Sequence, residues 1–183
     1  MTETQHVENG EVQRLANVLG AFSLALGDKI ARAIAEASDL GVMASAALIQ
    51  IGQNPGLSIE QLRRFLGLSH SAAVRIIDQF ERDGLAGRVR GAVKDSRVTS
   101  LSLSKEGEAL MERMLAARHD VALALLDPLN DAERAALARL MDKTIGKIVD
   151  AGDDQDVVCR LCDLRTCPDE RCPVTNAHPV AAM

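Results

Sequence analysis

The chain has no tryptophan, no tyrosine and only three phenylalanines among its 183 residues. A core without large aromatic anchors must be built from Leu, Ile, Val, Ala and Met, and the strong helix propensity of Ala, Leu and Met favours helices over sheet. Cysteine is absent from the first 158 positions, which excludes disulfides across the body of the fold. Charges interrupt every apolar stretch before it reaches the roughly 20 residues of a membrane span. The opening stretch MTETQHVENGEVQR has neither a basic leader nor an apolar segment, so no secretory signal is expected. These absences lead to the expectation of a cytoplasmic protein with no membrane partner. No Gly-rich cofactor loop and no convergent acid and base groups are visible, so an enzyme is not expected either.

What is present begins with charge. The net charge is −5, which by itself argues against a nucleic-acid partner. Its distribution argues the other way. Between Ser58 and Lys105 nine basic residues face five acidic ones, so this window carries +4 and the remainder of the chain −9. Charges more than about 10 Å away are largely screened at ordinary ionic strength, so a local basic surface on an acidic body still binds phosphate.

The apolar spacing predicts a helix over residues 11–37, with Leu15, Val18, Leu19, Phe22, Leu26, Ile30 and Ile34 on one stripe. Leu24 and Ala25 fall off that stripe, so the helix is apolar on more than one side. Such a helix is either central to its own core or part of a subunit interface. A second short helix over 42–52 is closed by the turn signal NPG at residues 54–56. Ser58 is placed to cap a helix with Ile59, Leu62 and Phe65 inward and Gly67 as its stop. Ser69 is placed to cap the next, with Val74, Ile77 and Phe80 inward and Gly84 ending it. Two short helices joined by a tight Gly-containing turn make a helix-turn-helix over residues 58–84.

The period then changes. Val89 opens one strand, and Val98, Leu101 and Leu103 mark another, with Ser100 and Ser102 expected to face away. With the polar loop 91–96 this forms a hairpin, or wing, over residues 85–103. Ser104 caps a long helix that breaks near Pro128, and residues 131–150 form a last helix with Leu137, Leu140, Met141, Ile145 and Ile148 on one stripe. The expected fold is therefore mainly α with a small β-wing, a winged helix-turn-helix over residues 1–150 flanked by terminal helices. Residues 151–183 read as a linker-like start and a cysteine-rich tail.

In a helix-turn-helix the N-terminal half of the second helix enters the major groove of duplex DNA. Here that half offers Ser69, His70, Ser71 and Arg75, with small neighbours that permit close approach. Arg75 suits a guanine, because its guanidinium matches the O6/N7 pair bidentately. Lys94 and Arg97 in the wing are placed for the minor groove or its phosphates.

The stretch NPGLSIEQLRRFLGLSHSAAVRIIDQFERDGLAGRV, followed by KDSRVTSLSLSKEG, resembles the MarR (multiple antibiotic resistance regulator) family of winged-helix transcription factors. The Asp-x-Arg pair of that family corresponds to Asp95 and Arg97, and its strand-to-helix junction to Leu103, Ser104 and Gly107. The likeness extends loosely over residues 11–150. It implies a homodimer joined through its N- and C-terminal helices, acting on double-stranded DNA with a palindromic operator. It also implies that Arg97 enters the minor groove and that Asp95 positions the wing. Many relatives sense small aromatic compounds, but three phenylalanines identify no such pocket here.

All four cysteines lie in CRLCDLRTCPDERCP, as Cys159, Cys162, Cys167 and Cys172. In a reducing compartment such a cluster favours metal binding over structural disulfides. Four thiolates repel one another unless a cation neutralises them, and sulfur ligands select soft or borderline metals. The C-x2-C-x4-C-x4-C spacing suits an iron–sulfur cluster, with Cys167 and Cys172 each preceding a proline as in ferredoxin segments. Zinc is the alternative, although paired C-x2-C knuckles across a longer loop are its usual arrangement. A redox dithiol and an inert tail also remain open. Leu161 and Leu164 are placed to shield such a centre, Arg160, Arg165 and Arg171 to offset its charge, and His178 is a spare ligand. The function expected is a homodimeric repressor responding to redox or metal status through this tail. The alternative is a small-molecule-responsive regulator of the same fold in which zinc is a structural clip.

Overall fold

Residues with helical spacing of apolar side chains carry most of the chain into helices. The computed structural model describes residues 3–90, 99–148, 155–167, 170 and 172–177. In chain order these form α1 (Glu3–Ser38), α2 (Val42–Gln53), α3 (Ile59–Phe65), α4 (His70–Arg82), β1 (Ala86–Arg90), β2 (Thr99–Leu103), α5 (Lys105–Leu126), α6 (Asp131–Ile148), α7 (Gln155–Val158) and α8 (Pro173–Ala177). The sheet is a single antiparallel pair, β1 against β2, with Ala86 opposite Leu103 and Arg90 opposite Thr99. No single helix among the described residues is long and apolar enough to cross a membrane.

The helix-turn-helix forms for the local reasons its sequence suggests. Ser58 caps α3 in a capping box with Gln61, and Ser69 caps α4 by accepting from the Ala72 amide. Gly67 (φ 61°) and Gly84 (φ 69°) supply the left-handed residues after the two helices. Leu62, Ile77 and Phe80 are wholly buried. Val74 is only half-buried, and the small Ala73 takes the inward place expected of it. Positions 73, 77 and 80 follow the i, i+4, i+7 row, which brings Ala73 to the centre of the buried face.

The core lies between α2, α3, α4, β2 and α5, around Leu48, Ile49, Leu62, Ile77, Phe80, Leu101 and Met114. One strand expectation is corrected. Ser100 does not face solvent but is buried, while Ser102 is exposed. The Leu101 amide donates to the Leu57 carbonyl at 2.7 Å, so the chain after α2 covers the start of β2. The Ser100 hydroxyl is accommodated there by donating to the Val89 carbonyl at 3.3 Å. The strand-to-helix junction is equally specific. Ser104 caps α5 through the Gly107 amide and donates its own hydroxyl to the Gly84 carbonyl at 2.7 Å.

Only the C-terminal part of α1 enters this core, through Ile30 and Ile34, where α1 runs along α5 and α2. Its earlier apolar residues stay in the open, with Leu15 64% and Leu19 60% exposed. On α6, Leu140 and Met141 are likewise exposed, whereas Ile145 meets a second, smaller cluster. That cluster consists of Cys172 and Val174 with Ile145, Cys159 and Cys167 packed against them. Leu161 joins the main core. The described part of the tail is thus seated on the body of the protein, with α7 beside α3 and α8 against α6.

Candidate DNA-binding surface and thiol cluster

Capping at Ser69 and burial of Ala73, Ile77 and Phe80 fix α4 so that its opposite face looks outward. Ser69, His70, Ser71 and Arg75 are all exposed on it. The Ser69 and Ser71 hydroxyls lie 3.2 Å apart and pair with each other. The side chains of His70 and Arg75 have no hydrogen-bond or ion-pair partner among the described residues. Lys94, Asp95 and Arg97 fall in the hairpin tip, outside the described residues.

Several other cations in the basic window are already committed. Glu60 holds Arg63 bidentately at 2.6 Å and Arg64 at 3.2 Å, and the Arg63 hydrogen bond draws its carboxyl below the usual range. Arg88 on β1 donates to Asp78 of α4 at 2.7 Å and pairs with Glu81. The charge count along the sequence therefore overstates the phosphate-facing charge, because i,i+3 and cross-element pairs neutralise part of it. Arg75 is exposed and, among the described residues, not committed to any carboxylate.

The four thiols occupy one place. Cys172 is buried and the other three are half-buried. Cys159 and Cys162 interact by hydrogen bonding, which raises the first thiol and lowers the second to about 6, with the Arg118 charge assisting at Cys162. Burial pushes Cys167 up, helped by the negative charge of Cys172. At Cys172 burial acts in the same sense but is outweighed by donors from Thr175 and Val174, so its thiol titrates below the ordinary range. Among the described residues no three His, Cys, Asp or Glu side chains are drawn in to the spacing of a formed metal centre.

The surroundings differ from expectation. Arg165 does not face the thiols but forms a bidentate pair with Glu112 of α5, at 2.7 and 3.0 Å, and another with Asp163. Arg160 turns back to the Val157 carbonyl. The cation beside the sulfurs is instead Arg118 of α5, whose Nη2 lies 3.9 Å from Cys162 Sγ. Two carboxylates capture Arg165 and a backbone carbonyl captures Arg160, leaving the half-buried Arg118, among the described residues, for the thiol. Arg171 and His178 lie outside the described residues.

Sequence reasoning missed the residues that seat this loop. Gln53 Nε2 donates to the Cys162 carbonyl at 2.7 Å, and its Oε1 accepts from the Leu164 amide at 2.6 Å. Gln50 Nε2 donates to the Arg160 carbonyl at 3.2 Å. A signal for them existed: two amides spaced i,i+3 in the otherwise apolar helix VMASAALIQIGQ must have polar partners if they face inward. Separately, a cleft of about 600 Å³ opens between the end of α2 and the hairpin, lined by Ile51, Val89, Leu101, Leu103 and Glu108 among others.

The MarR family model matches residues 38–97, which span the helix-turn-helix and the first strand of the hairpin. The HTH-type transcriptional regulator BilQ of Clostridium symbiosum (strain WAL-14163) is 30% identical over 104 residues, covering 57% of this chain and 71% of that protein. The chain belongs to the MarR family. The same architecture recurs in solved structures. A MarR family protein from Bacillus stearothermophilus is 22% identical with a TM-score of 0.66, covering 78% of this chain and 98% of its own. FabT of Streptococcus pneumoniae, solved in complex with DNA, is 20% identical with a TM-score of 0.61, covering 75% and 96%. At these identities the likeness is one of fold. The thiol tail of this MarR-family chain lies outside the span that the family model matches.

Proposed function

We propose that this MarR-family regulator is a homodimeric repressor that binds a palindromic operator and responds to metal or redox status through its four cysteines. The observation that carries the DNA-binding part is the outward face of α4, where Arg75 and His70 have no partner among the described residues and the opposite face is capped and packed into the core. Such a helix fits the major groove, with Arg75 reading guanine and Ser69 and Ser71 within reach of phosphates. Arg97 and Lys94 of the hairpin contact the minor groove beside it, and Asp95 holds the hairpin in place. The apolar stripes of α1 and α6 are covered by a second copy, which sets two α4 helices about one DNA turn apart.

Four soft sulfur donors, walled by Ile145 and Val174 and faced by Arg118, support the reading that the tail holds an iron–sulfur cluster or zinc. In either case the bound centre neutralises thiolate charge and ties together residues 159–172. Gel retardation with a duplex selected from a random library tests the core of the proposal. Arg75→Ala and Arg97→Ala are each expected to weaken retention by about 1–3 kcal/mol. Retention unchanged in the double variant at modest salt overturns it.

A further inference from the structure

Besides its own turn bonds and the Arg165–Glu112 pair to α5, the thiol loop is held by two side chains of α2. Gln53 grips both ends of the Cys162–Leu164 segment, donating to one carbonyl and accepting from one amide. Gln50, buried within α2, grips Arg160 in the same loop. The hydrogen bonds continue from there. Asn54 Nδ2 donates to Gln50 Oε1 at 3.0 Å, the Leu57 amide to the Asn54 carbonyl at 3.1 Å, and the Leu101 amide to the Leu57 carbonyl at 2.7 Å. Leu101 belongs to β2, so an unbroken polar chain leads from the cysteine loop to the wing strand. On its other side the tail meets α6 through α8 and Ile145.

We propose that Gln53, with Gln50, is the positioning element that transmits the state of the thiol site to the DNA-binding hairpin. The four thiols are not at metal-centre spacing here, so a centre that drew them together would displace the backbone between Cys159 and Leu164. Because Gln53 holds that backbone at two points, the end of α2 follows, and with it the turn that pairs with β2. None of these groups is a thiol, so a centre bound by the cysteines would act on them through the loop they grip. This inference rests on the metal reading of the cysteines. It adds the element on which the metal's differential effect must act, since a ligand shifts an equilibrium only through interactions that differ between states.

The test compares full-length wild type with Gln53→Leu and Gln53→Glu. Each is stripped of metal under reducing conditions, then loaded with Zn2+ or, anaerobically, with ferrous iron and sulfide. Metal content and affinity for the selected duplex are measured in both states. Wild type is expected to change affinity on loading by roughly 5–150-fold, the range usual for coupled sites. Gln53→Leu is expected to take up the same amount of metal and bind DNA, yet show almost no change on loading. Gln53→Glu keeps the acceptor for Leu164 but not the donor for Cys162, and an intermediate change is expected. Full metal response in Gln53→Leu overturns the transmission role while leaving the metal reading intact. Failure of wild type to take up either probe overturns the metal reading, and the transmission role with it.

Discussion

Arg88 on β1 reaches across to Asp78 on α4 with a 2.7 Å hydrogen bond, and its backbone amide donates to Glu81 one turn further on. The outer hairpin strand is thereby tied to the same helix that presents Arg75. The pairing is partly exposed, so its contribution to stability is modest, about 0.2–1 kcal/mol. Its larger consequence is geometric. Arg88→Met is expected to leave the melting temperature nearly unchanged while weakening operator binding several-fold, because the hairpin loses its fixed angle to α4. Fluorescence anisotropy with a labelled duplex measures this, and wild-type affinity in the variant shows that the backbone alone aims the hairpin.

The exposed apolar residues of α1 and α6 make a second prediction. A monomer leaving Leu15 and Leu19 of α1 and Leu140 and Met141 of α6 in water exposes large apolar side chains on two helices, of the kind that marks association. The double variant Leu15→Glu with Leu140→Glu is expected to sediment as a monomer and to lose operator binding, with its circular dichroism preserved. Sedimentation equilibrium decides the point: an unaltered mass places the dimer contact elsewhere.

Gly107 carries a third. A β-carbon there would lie 2.0 Å from the Leu85 carbonyl oxygen, in the first turn of α5. Gly107→Ala therefore forces the helix away from the turn that Ser104 ties down. Overpacking of this kind costs about 1–3 kcal/mol, and a domain of this size loses about 2–4 °C of Tm per kcal/mol. Calorimetry reads the loss. A variant with undiminished Tm means that the α5 junction yields without cost.

The pH dependence of the helix-turn-helix gives a fourth. Arg63 and Arg64 hold the Glu60 carboxyl below its ordinary value. A carboxyl depressed on folding adds stability above its unfolded pKa, and that contribution disappears as pH falls through the folded value. Acidification below the normal glutamate range should therefore loosen the start of α3. An NMR titration should place Glu60 below the ordinary glutamate value, and Arg63→Gln should return it upward. A titration at the ordinary value in the wild-type chain contradicts the pairing.

Much of this architecture was legible because it depends on neighbours in the chain. Ser58, Ser69 and Ser104 cap the helices that follow them, since a cap is satisfied by amides two or three residues away. Gly67 and Gly84 end helices for a backbone reason that needs no distant partner. The outward placement of Ser69, His70, Ser71 and Arg75 followed from the 3.6-residue period. Ser100 was misjudged because alternation assumes that one sheet face is open, whereas Ser100 is buried, beside the strand position whose amide pairs with Leu57.

The sequence by itself determined the helical composition, the helix-turn-helix and the grouping of Cys159, Cys162, Cys167 and Cys172 in one short segment. Only the tertiary structure decided where that segment sits and which charge faces it. Gln50 and Gln53 meet the tail across more than a hundred residues of chain, and Arg118 displaces Arg160 and Arg165 as the cation beside Cys162. The physical reason is that hydrogen bonds and ion pairs go to whichever partners the folded backbone brings within about 3 Å. Local spacing fixes a helix's faces, but the packing of distant elements decides what each face touches.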